Sequence, residues 1–129
     1  MTDFNVLFID DYSKLEDLDK SIFVGRWQRA YSRGILEQRL EKYDLVFLDF
    51  NTGELLERNI IDGIRSRVSK ERFYLSVKEK SDEGRIGSRV REWNAGGYLV
   101  MPVEHEQIVE ILRGINPDFQ LLFLNSGMK

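Results

Sequence analysis

The chain has 129 residues, 42% of them hydrophobic and 32% charged, with a formal net charge of −3, enough apolar material for one buried core. The mildly acidic balance argues against a dedicated DNA- or RNA-binding domain. The absence of cysteine removes disulfides, thiolate metal sites and a cysteine nucleophile from consideration.

Nothing in Met1-Thr2-Asp3-Phe4 resembles the basic-then-apolar opening of a signal peptide, and no apolar run is long enough to span a bilayer. A cytoplasmic domain without membrane contact is therefore expected. In chain order, Asn5–Ile9 is a short apolar run that predicts a strand buried on both faces. Leu15, Leu18 and Ile22 follow at helical spacing. Arg26–Tyr31 is the best second strand, and its Arg26, Gln28 and Arg29 suit an edge position. Ile35, Leu36 and Leu40 predict a short second helix. The third strand is Asp44–Phe50, followed by a third helix through Leu55, Leu56, Ile60 and Ile64. Arg72–Val77 is a fourth strand. Ile86, Val90 and Trp93 mark a fourth helix, in which Gly84 and Gly87 each cost about 1 kcal/mol relative to alanine. Gly97–Met101 is the fifth strand, and Ile108, Ile111, Leu112 and Ile115 mark the fifth helix.

Five strand–helix units imply an α/β doubly wound fold, with a parallel sheet covered on both faces by right-handed crossovers. The flavodoxin-like strand order 2-1-3-4-5 is expected, in a single domain over 1–129 with its core at about 4–115. Pro117 ends the last helix. The apolar stretch Phe119–Leu124 lies in the 116–129 extension, where packing on the domain's own surface is favoured over a partner-binding or dimerising role.

In open parallel sheets, ligands bind beyond the carboxyl ends of the strands, where strand order reverses. Asp10 and Asp11 follow the first strand and Asp49 ends the third, so the three carboxylates are expected in one crevice. Carboxylates that converge repel, and a hard cation such as Mg²⁺ relieves the repulsion. One left partly free can attack a phosphoryl group and form an acyl phosphate. Individually, each aspartate is better read as a turn or helix cap; the three together, in this order, favour a site.

The order and spacing of these residues resemble the receiver domains of response regulators. Asn5-Val6-Leu7-Phe8-Ile9-Asp10-Asp11 is similar to the opening strand and acidic pair of that family. Tyr43-Asp44-Leu45-Val46-Phe47-Leu48-Asp49 is similar to the strand carrying its phosphoacceptor. The resemblance implies Asp49 as acceptor, with Asp10, Asp11, Asp49 and the Asn51 backbone carbonyl around Mg²⁺. It also implies Ser76 as switch hydroxyl and Tyr98 as switch aromatic. The partners it implies are a sensor histidine kinase or phosphotransfer protein, and a downstream protein on the face of the fourth helix, fifth strand and fifth helix; a homodimer is a further option. Arg85, Arg89 and Arg91 give that face positive charge.

Three departures weaken the likeness. Met101 stands before Pro102 where receivers carry a lysine, and the loss of one charge-assisted hydrogen bond is worth roughly 1.5–3 kcal/mol. Lys78 is a remote substitute given little weight. Val77 follows Ser76 where a small residue is usual. Thr52-Gly53 replaces a methionine–proline pair, and a cis Met101–Pro102 bond accords with the family's loop. His105, the only histidine, is expected at the surface, and without a second histidine a zinc site is poorly supported. No glycine-rich phosphate loop is present. Two readings follow, neither an enzyme acting on a separate substrate. In the first, the chain is a stand-alone receiver in a two-component or phosphorelay pathway, with weakened switching. In the second, it is a phosphorylation-independent pseudo-receiver that serves as a protein-interaction module.

Overall fold

The computed structural model describes residues 4–12, 26–78 and 83–115. The predicted first helix through Leu15, Leu18 and Ile22, and the 116–129 extension with Phe119–Leu124, lie outside the described residues. Five parallel strands form one sheet: β1 Asn5–Ile9, β2 Arg26–Ala30, β3 Leu45–Asp49, β4 Phe73–Val77 and β5 Gly97–Val100. Their order is β2-β1-β3-β4-β5, the doubly wound, flavodoxin-like α/β arrangement. The polar β2 sits at one edge, paired to β1 from Asn5↔Arg26 to Ile9↔Ala30.

Alternation along each strand divides the core into two layers, because successive side chains leave a strand on opposite faces. Leu7, Ile9, Val46, Leu48, Phe73, Leu75 and Val77 belong to one cluster. Val6, Phe8, Leu45 and Phe47 belong to the other. The helices are α1 Phe50–Glu54, α2 Arg58–Arg67, α3 Glu83–Glu92 and α4 His105–Ile115. Ile61 and Ile64 of α2 and Ile86 of α3 close the first layer, while Ile108 and Leu112 of α4 close the second. None of the helices among the described residues is long and apolar enough to cross a membrane.

Several elements differ from the sequence expectation. Ile35, Leu36 and Leu40 lie in or beside two 3₁₀ turns, Ile35–Glu37 and Leu40–Lys42, and form no α-helix. Gln38 between them is extended, at φ −84° and ψ 158°, which breaks the helical hydrogen-bond ladder. The third helix is split: α1 ends at Glu54, and Glu57, also extended, opens α2. Leu55 falls in the break and is 74% exposed instead of facing the core. His105 is buried, at 8% exposure, and stacks on Phe4 with ring centroids 6.2 Å apart. The surface position expected for it is therefore corrected; α4 packs its first turn, and not only its later apolar stripe, onto the sheet.

Candidate functional site

β1 and β3 are direct neighbours, and their carboxyl ends deliver Asp10 and Asp49 to the same edge of the sheet. Both are buried, at 3% and 1% exposure. Asp49 has two roles, one for each oxygen. As the residue preceding α1 it caps that helix: Oδ2 accepts from the Thr52 amide at 2.9 Å and from Thr52 Oγ1 at 3.0 Å. Oδ1 is buried without a well-aligned hydrogen bond, and the Lys78 ammonium approaches it at 3.2 Å. Capping thus accounts for one oxygen and leaves the other facing the crevice.

The same ammonium lies 3.2 Å from Asp10 Oδ1, an oxygen that also accepts from the Tyr12 amide at 2.9 Å. The position of Lys78 follows from strand geometry. Asp49 is in register with Ser76 on β4, and two residues further on a strand-like chain returns a side chain to the Ser76 side. Lys78 is the first residue past β4, so its stem can turn back over the carboxylates. The small weight given to it from sequence is corrected: the crevice holds two carboxylates around one lysine.

Asp11 takes another direction. Its Oδ1 accepts from the Ser32 amide at 2.7 Å and its Oδ2 from Ser32 Oγ at 2.5 Å, which ties the end of β1 to the loop after β2. The Asp11 amide donates to Thr52 Oγ1 at 2.9 Å. Thr52 therefore links Asp11 to Asp49 through one buried hydroxyl, a function the sequence did not reveal. The expected convergence is corrected to Asp10 with Asp49, with Asp11 connected through its backbone alone.

Burial is the largest influence on Asp49 and raises its pKa above the ordinary carboxylate value. The charge of Asp10 adds to the rise, and the Thr52 amide and Lys78 oppose it. Ser76 is buried beside Asp49 on the neighbouring strand. Asn51 is exposed in the first turn of α1. Tyr98 is half-buried against the first core layer, and its hydroxyl donates to Glu83 Oε2 at 3.0 Å. That bond is the first cause of the raised Tyr98 pKa.

Met101 packs against the second core layer, and the Met101–Pro102 bond is cis. Val77 is wholly buried in the first layer, on the face of β4 opposite to Ser76, so its branched side chain does not narrow the approach to Asp49. Gly53 makes room for an aromatic ring: a Cβ there would lie 2.7 Å from Trp93 Cζ3.

As arranged, these residues do not fit a magnesium shell. A hard divalent cation needs oxygen donors aimed at one point. Asp10 and Asp49 aim at a point held by an ammonium, and Asp11 aims at Ser32. Among the described residues, no group of three or more His, Cys, Asp or Glu side chains is placed to hold a metal ion.

No family model matches the chain, and no curated protein matches it in sequence. In three dimensions it is similar to the crystal structure of adenylate cyclase from Rhodopirellula baltica, with a TM-score of 0.56 and 14% identity over 98% of this chain and 97% of that one. At that identity the likeness concerns the fold alone.

Proposed function

We propose that this chain is a receiver-like protein-interaction module whose acidic crevice works without phosphoryl transfer. The observation that carries this reading is Lys78 Nζ at 3.2 Å from both Asp10 Oδ1 and Asp49 Oδ1. An internal cation neutralises the two carboxylates, the part that a metal ion would otherwise play. Met101 supplies no second cation. Among the described residues, the exposed large hydrophobic residues are Tyr12 after β1, Tyr31 after β2 and Leu55 after α1. The test is incubation with acetyl phosphate and Mg²⁺, read by intact mass beside a control receiver. No phosphoryl adduct is expected; an adduct that Asp49→Asn removes rejects the reading.

One observation favours the other reading, a phosphoryl-accepting receiver supplied by a histidine kinase or phosphotransfer protein. Asp49 Oδ1 is a buried carboxylate oxygen without an aligned hydrogen bond, and the ammonium beside it can take the part of the lysine absent at Met101. The same mass measurement decides between the two.

A further inference from the structure

Two buried carboxylates that face each other need either a proton on one of them or a positive charge between them. Here the charge arrives on a tether. The Lys78 side chain is 28% exposed, against 4% and 1% for those of Asp10 and Asp49, so the amine reaches the crevice from its solvent side and closes it. An ammonium and a divalent ion cannot share that point, since like charges a few ångströms apart repel strongly in a partly buried site.

We infer that Lys78 holds the place of a divalent cation between Asp10 and Asp49, so that metal binding and the Lys78 contact exclude one another. Lys78 thereby sets which cations the crevice accepts, and a metal ion binds only as the lysine withdraws. The inference concerns occupancy of the crevice and holds whether or not a partner docks on its rim. Its failure is therefore separate from that of the proposed function, which phosphoryl transfer tests.

The experiment is a Mn²⁺ titration of the full chain followed by the electron paramagnetic resonance of free Mn²⁺. Lys78→Met is expected to bind roughly tenfold more tightly than the wild type, or better, because a competing charge has been removed. Lys78→Arg should remain as weak as the wild type, and adding Asp49→Asn to Lys78→Met should abolish the gain. Equal affinities for wild type and Lys78→Met overturn the inference.

If Lys78→Met does not fold, the wild type and Asp49→Asn still decide. The rate at which an amine-reactive ester acylates Lys78, read by peptide mass, should rise several-fold in Asp49→Asn and in wild type saturated with Mn²⁺. A rate unmoved by either change overturns it equally.

Discussion

The indole of Trp93 presses on the backbone of Gly53, so that a Cβ at position 53 would lie 2.7 Å from Cζ3 and 2.8 Å from Cη2. This contact joins the residue after α3 to the short helix that Asp49 caps. Trp93 is thus an optical reporter packed against that helix.

Gly53→Ala sets two effects against each other. Alanine gains about 1 kcal/mol over glycine in a helix interior, but over-packing a filled core costs about 1–3 kcal/mol. The clash should win, because Trp93 is 5% exposed and Leu48, also close to the added methyl, is fully buried. A net loss of up to about 2 kcal/mol is expected in urea unfolding. Combining it with Trp93→Leu should give less than the sum of the two losses. A stabilised Gly53→Ala would show that the ring has somewhere else to go.

Thr52→Val keeps the shape and removes the hydroxyl that links Asp11 to Asp49. Thr52 is 1% exposed, so water cannot easily replace the lost partner of the Asp11 amide. Leaving a buried polar group unpaired costs about 1–3 kcal/mol. Thr52→Ser, which retains both bonds, should recover most of that loss. Equal stabilities of the valine and serine variants would reduce Thr52 to a space-filler.

The architecture was legible because β1, β3 and β4 are short, nearly unbroken apolar runs, and because β2 carries the arginines and glutamine that an edge tolerates. Asp10 and Asp49 were legible as residues at strand ends. Asp11 was not: in sequence it is half of an acidic pair, but consecutive residues leave a strand in opposite directions, and Ser32 was waiting on the other side. Lys78 carried no local signal, since a lysine after a strand is ordinarily solvated. Counting two residues on from Ser76 would have found it. The helix around Ile35–Leu40 failed because three apolar residues mark a buried face without specifying the turn type. His105 was misplaced because a polar residue beside a loop reads as exposed, and only the packing of Phe4 reverses that.

His105 offers a test by pH. Burial is the main cause holding its pKa below the ordinary value of 6.5, and nearby Glu106 opposes the effect. The unfolded chain therefore takes up a proton first as pH falls. Stability from this residue is complete above pH 6.5 and declines as pH drops towards the folded value. The free-energy difference between wild type and His105→Leu, measured by urea unfolding, should shift against the wild type between pH 7 and pH 5 (about two units, spanning the unfolded titration). A difference independent of pH would mean that the ring titrates as it would in water.

Asp49 should act in the opposite sense. Burial, reinforced by Asp10, lifts its pKa above the ordinary 3.8, so the unfolded chain loses this proton at lower pH than the folded one. Its contribution is complete below the unfolded value and is lost as pH rises through the folded value, so ionising Asp49 is a net cost to the fold. Asparagine cannot ionise, and its amide oxygen can still accept from the Thr52 amide as the cap. Asp49→Asn should therefore be more stable than the wild type at pH 7, with the melting temperature raised by a few degrees (about 1 kcal/mol corresponds to roughly 4 °C in a domain of this size). The advantage should shrink steadily as pH is lowered towards 4. Lys78, already 28% exposed, keeps Asp10 as a partner and gains access to solvent in that variant, so the gain is not cancelled by a stranded ammonium. A variant less stable than the wild type at pH 7 would show that the Lys78–Asp49 contact outweighs the cost of burying the carboxylate.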